Sequence, residues 1–97
     1  MERAKRLPKD WNLTDDLLRW ALSFRKGLGK EVTAAQVAIL ATTFADYWHS
    51  VPGNKGTKLD WPATFRNWVT RTTDAEWQTM AARQAAPAAD RPGARGI

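Results

Sequence analysis

Ninety-seven residues, 43% of them hydrophobic and 26% charged, suffice for one small core and exclude two independent domains. The absence of cysteine excludes a disulfide framework and a Cys-based zinc site, and a single histidine, His49, leaves a His-based metal site short of ligands. Fifteen Lys and Arg against ten Asp and Glu give a net charge of +5, which favours a polyanion such as nucleic acid or an anionic membrane surface without choosing between them.

The chain starts with a basic stretch. Residues 1–9 carry Arg3, Lys5, Arg6 and Lys9 against Glu2 alone, with Pro8 and no apolar period, and are expected to be a basic disordered arm, ordinarily no more than a solvated terminus. A helical domain is expected over 10–83. Its first helix is predicted over about 15–26: Thr14 caps it, Asp15 and Asp16 suit the positive end of its dipole, Arg25 and Lys26 suit the last turn, and Gly27 ends it. Leu13, Leu17, Trp20, Ala21, Phe24 and Leu28 form the inward stripe at helical spacing. Leu18 and Leu22 make a second, narrower apolar edge, open either to a partner protein or to other parts of this chain.

Thr33 followed three residues later by Gln36 reads as a capping box, and Val37, Leu40, Ala41, Phe44, Trp48 and Val51 then recur at 3.6-residue spacing. A second helix is predicted over about 34–50. His49 falls off its stripe near the C-terminal end, where a histidine is ordinarily solvated and suits the dipole, with phosphate contact as the alternative. Pro52, Gly53 and Gly56 end this helix and open a loop expected to be flexible and basic through Lys55 and Lys58. Asp60 then caps a third helix near 61–71, with Pro62 tolerated in its first turn and Trp61, Phe65, Trp68 and Val69 on one face. A second capping box, Thr73 to Glu76, starts a fourth helix with Trp77, Met80 and Ala81 inward. Residues 84–97, rich in Pro, Gly and Ala, are expected to be a disordered tail. The fold class that follows is all-α, a small three- to four-helix bundle with disordered N- and C-terminal tails.

The sequence holds no phosphate-binding glycine loop, no dinucleotide fingerprint and no set of residues spaced for a catalytic triad. Asp15 and Asp16 adjoin each other, but at a helix start they serve the dipole rather than acid–base chemistry. A non-enzyme is expected, with no cofactor and no small-molecule substrate. No apolar run approaches about 18 residues, and Met1 leads into charged residues, so neither a membrane span nor a secretory signal is predicted and the expected location is cytoplasmic.

Six tryptophans are the unusual feature of the composition, because indole belongs either in a core or on a face where bases stack. Between residues 44 and 71, Tyr47, Trp48, Trp61 and Trp68 alternate with Lys55, Lys58, Arg66 and Arg71. Single-stranded nucleic acid needs both, cations that track phosphates and aromatic faces that accept unpaired bases. Phe44, Trp48, Trp61, Phe65 and Trp68 fall on inward stripes; Phe44 and Phe65 are expected in the core, and the three indoles either there or buried on one ring edge and exposed on another. Tyr47, at the edge of its stripe, is the better candidate for exposure.

Phe44, Tyr47 and Trp48, then a Gly/Lys loop, then Lys58, Asp60, Trp61, Thr64, Asn67 and Trp68, resemble the FxxYW…KxDWxxTWxNW signature of the DnaT-type DNA-binding domain, found in primosomal and phage replication proteins. The lead-in LPKDW at 7–11 is similar to that of phage members, while Phe65 stands where Trp is commoner. The resemblance spans about residues 7–71. It implies a helical bundle that binds single-stranded DNA and, in a primosome, helps load a replicative helicase through protein contacts. By motif match, Tyr47, Trp48, Lys55, Lys58, Trp61, Arg66, Asn67 and Trp68 would form or support the DNA surface, with Asn67 alternatively tying its amide to the neighbouring loop.

Two other classes of function stay open. One is a protein-interaction adaptor, or a phage-encoded inhibitor of a host complex, using the Leu18/Leu22 edge. The other is a duplex-binding helix-turn-helix reading bases with Arg66, Asn67 and Thr70, although Trp61 and Pro62 make groove entry awkward. A membrane-surface helix ranks behind these, since no helix sets Lys and Arg beside a wide apolar face.

Overall fold

Four local capping devices set where the helices begin. In the computed structural model, which describes residues 3–85, the Thr14 hydroxyl accepts from the Leu17 amide, and Thr33 and Gln36 close a capping box. The Asp60 carboxylate accepts from the Ala63 amide, and Thr73 and Glu76 exchange the bonds of a second box at 2.8 and 3.1 Å. The helices that follow are α1 (Asp15–Gly27), α2 (Ala34–Ser50), α3 (Trp61–Arg71) and α4 (Asp74–Ala85). A two-residue strand, β1 (Lys5–Arg6), pairs antiparallel with β2 (Thr57–Lys58), and a 3₁₀ turn occupies Gly53–Gly56. The protein is thus a small all-α bundle with one short ribbon. No described helix is long and apolar enough to cross a membrane.

The central helix is α2, which packs against α1, α3 and α4. Its Val37, Leu40, Ala41 and Phe44 meet Leu17 and Ala21 of α1, Phe65 and Val69 of α3, and Trp77 and Met80 of α4 in one core. The second apolar edge, Leu18 and Leu22, is half-buried against that core and so is largely spent within the chain.

The C-terminal end of α1 departs from expectation at three residues. Gly27 stays helical, and the left-handed residue that turns the chain is Gly29, at φ +73°, where a side chain would be strained. Leu28, expected inward, is 53% exposed because the backbone has left the helical register by that point. Arg25, expected to suit the dipole in the last turn, is 6% exposed. Its guanidinium lies 5.2 Å from the centroid of the Trp77 ring, and its Nε and Nη2 donate to the Lys30 carbonyl and to Asp74 Oδ1. A second buried joint lies beside it, where Gln36 closes its cap with Oε1 and donates through Nε2 to the Trp77 carbonyl at 2.9 Å. Two polar side chains therefore fasten α4 to α1 and α2.

Hydrogen bonds from Lys30 and then Arg25 hold the half-exposed Asp74 carboxyl below its ordinary value. A carboxyl depressed in the folded state adds stability that is present above the unfolded value of about 4 and is lost as pH falls through the lower folded value. Asp74→Asn should therefore melt below wild type at neutral pH, with the two midpoints converging as pH drops below about 4. A gap between the melting curves that stays constant down to pH 2 would refute this assignment.

The N-terminal arm is the main correction. Residues 1–2 lie outside the described residues, but residues 5–8 are docked on the bundle rather than disordered. Leu7 is 3% exposed in the core, and the Lys5 carbonyl accepts from Trp61 Nε1 at 2.9 Å. Arg6 donates to the carbonyls of Val51, His49 and Gly53, which end or follow α2. His49 Nε2 lies 2.9 Å from the Pro8 carbonyl, so this histidine contacts the arm rather than standing free. The loop expected to be flexible is held by the same contacts. A Cβ at Gly56 would come 2.5 Å from the Val51 carbonyl oxygen and 2.8 Å from Arg6 Nη1, so glycine is required where the turn passes under the arm. Of the tail expected over 84–97, α4 takes in residues 84 and 85, and residues 86–97 lie outside the described residues.

Candidate nucleic-acid interface

Positions 64, 67, 68 and 71 recur at three- and four-residue spacing and so share one face of α3. That face meets Tyr47 and Trp48 at the C-terminal part of α2 and Lys58 of β2. Together Tyr47, Trp48, Lys58, Thr64, Asn67, Trp68 and Arg71 line an open groove of about 490 Å³. The lining contains two cations and no carboxylate, so its own side chains carry a charge of +2.

Three aromatic rings form one wall. Tyr47, 49% exposed, has its ring centroid 5.0 Å from Trp48 at a near-perpendicular 89° and 5.3 Å from Trp68 at 47°. Trp48 and Trp68 are half-buried, their centroids 6.3 Å apart, and each also meets the buried Phe44 edge-on. The Lys58 ammonium sits 4.8 Å from the centroid of the Trp48 ring, a cation–π geometry that places a positive charge on an aromatic face. Trp48 Nε1 is buried with no hydrogen-bond partner among the described residues. The Trp48 ring is thus sandwiched between core and groove, and its polar edge faces inward.

Six of the nine residues expected at the site therefore come together here, and three do not. Trp61 is only 9% exposed, T-shaped against Phe44 at 6.1 Å, and its indole N–H is spent on the Lys5 carbonyl. It supports the wall from behind and offers no stacking face, because the docked arm covers it. Arg66 is half-buried and lies about 200° around the helix from both Thr64 and Trp68, away from the groove. Lys55 is exposed on the 3₁₀ turn and does not line the groove. Asn67 makes no side-chain hydrogen bond to a described residue, so nothing in the fold ties its amide to the loop.

Reading the sequence missed Arg6 and Leu7, the residues that dock the arm beside this wall. The available signal was a lone leucine in a basic stretch, two residues after the Lys5 carbonyl that receives the Trp61 indole N–H, and no periodicity reveals it. No protein-family model, no curated protein and no solved structure matches this chain. What the fold and the groove define is a small all-α bundle bearing a positive, aromatic-walled surface cleft.

Proposed function

We propose that this chain is a single-stranded DNA-binding domain acting in phage or mobile-element DNA replication, at primosome assembly or helicase loading. The observation that carries the binding reading is the joining of Tyr47, Trp48 and Trp68 with Lys58 and Arg71 in one groove without a carboxylate. Unpaired bases stack on aromatic faces while the phosphates between them follow the cations, and neither contact demands a particular base. Tyr47 supplies the exposed ring, Trp48 and Trp68 the half-buried ones, and Asn67 an uncommitted amide at the rim. The replication setting, and a replicative helicase or another replication protein as protein partner, rest on the motif spanning Phe44 to Trp68.

Fluorescence titration with oligo(dT) and with a duplex of equal length tests the reading directly, since two of the six tryptophans, Trp48 and Trp68, line the groove. Single strand should bind more tightly at equal salt, because a duplex keeps its base faces inside its own stack. Equal or tighter duplex binding would overturn it and favour groove reading by Arg66, Asn67 and Thr70.

A further inference from the structure

The β1–β2 ribbon places two lysines opposite each other. In its register Lys5 faces Lys58 and Arg6 faces Thr57. Residues directly opposite in an antiparallel pair project to the same side, with Cβ atoms about 4.5–5.5 Å apart, and like charges so placed destabilise the pair. Neither lysine makes an ion pair with a carboxylate among the described residues. Arg6, on the other side of the ribbon, donates through Nη1 and Nη2 to the carbonyls that end or follow α2. The arrangement therefore holds two uncompensated ammonium groups at a fixed backbone spacing. It is anchored where the Lys5 carbonyl receives the Trp61 indole N–H and where Lys58 lies over Trp48.

We propose that Lys5 and Lys58 form a two-lysine clamp for one phosphate of the bound strand, adjoining the base-stacking wall at Trp48. The inference rests on the single-strand reading and deepens it by adding Lys5, which the arm delivers to the site. A phosphate between the two ammonium groups offsets their repulsion and takes charge-assisted hydrogen bonds from both. Arg6 acts as a positioning residue, holding the ribbon in register through the carbonyls it caps.

The test compares Lys5→Gln with Lys9→Gln, which removes the same charge from an exposed lysine of the arm outside the ribbon. Oligo(dT) affinity should fall about three- to tenfold for Lys5→Gln, and its log–log salt slope should become shallower by about 0.7. Lys9→Gln should change both much less. Equal effects of the two variants would overturn the clamp and leave the groove reading intact. In parallel, wild-type protein titrated with inorganic pyrophosphate should show NMR shifts concentrated at Lys5 and Lys58. If oligo(dT) fails to bind while pyrophosphate shifts both lysines, the single-strand reading falls and takes with it the clamp as a site for a strand's phosphate, leaving the lysine pair as an anion site alone. If pyrophosphate leaves them unmoved, the clamp is wrong.

Discussion

Phe44→Ala is expected to cost about 3–5 kcal/mol of folding stability, the usual range for removing a fully buried phenyl ring. Phe44 has no exposed surface, and its ring lies within 5.2–6.4 Å of the rings of Trp11, Phe65, Trp68, Trp61 and Trp48. Those neighbours come from the arm side, α2 and α3, so the void would open where the elements meet and could close only by shifting several indoles at once. Each kcal/mol lowers the melting midpoint of a domain this size by roughly 4–8 °C, so a drop of at least about 12 °C should appear by circular dichroism. A drop under about 4 °C would mean that the aromatic cluster repacks freely and is not what holds the bundle together.

Tyr47→Ala should do the opposite, leaving folding nearly unchanged and removing about 1–3 kcal/mol of oligo(dT) binding, the contribution of one stacked base. The side chain stands on the same helix only three residues from Phe44, yet half of its surface is exposed, so its truncation leaves no closed cavity. Tyr47→Phe keeps the ring and should keep most of the affinity. Melting midpoints and titrations of Phe44→Ala, Tyr47→Ala and Tyr47→Phe separate the core from the binding face. A Tyr47→Ala protein that melts as early as Phe44→Ala would place this ring in the core and leave the groove without its exposed stacking surface.

The contrast between these two neighbours can be read from periodicity, since Phe44 sits at the centre of the stripe Val37, Leu40, Ala41, Phe44 and Tyr47 at its edge. The candidate groove is legible for a similar reason. Positions 64, 67, 68 and 71 share a helix face by spacing alone. Trp61 falls close to the azimuth of Trp68 on the same helix, and spacing cannot separate them. One lines the groove and the other is covered, because the N-terminal arm crosses at one end of α3.

Residue order by itself determined the helices and their starts. The bonds of Thr14, Thr33 with Gln36, Asp60 with Ala63, and Thr73 with Glu76 close over three residues, so their energetics are local. The burial of Phe44 and Phe65 followed from the same short-range spacing. Only the tertiary structure decided the docking of the arm, the burial of Trp61 and Arg25, and the pairing of Lys5 with Lys58. The bonds responsible join residues 41 to 56 positions apart: Gln36 to Trp77, His49 to Pro8, Arg6 to Val51, Arg25 to Asp74 and Trp61 to Lys5. Such partners meet only after the bundle has closed the intervening chain, so no local pattern of apolar or charged residues records them.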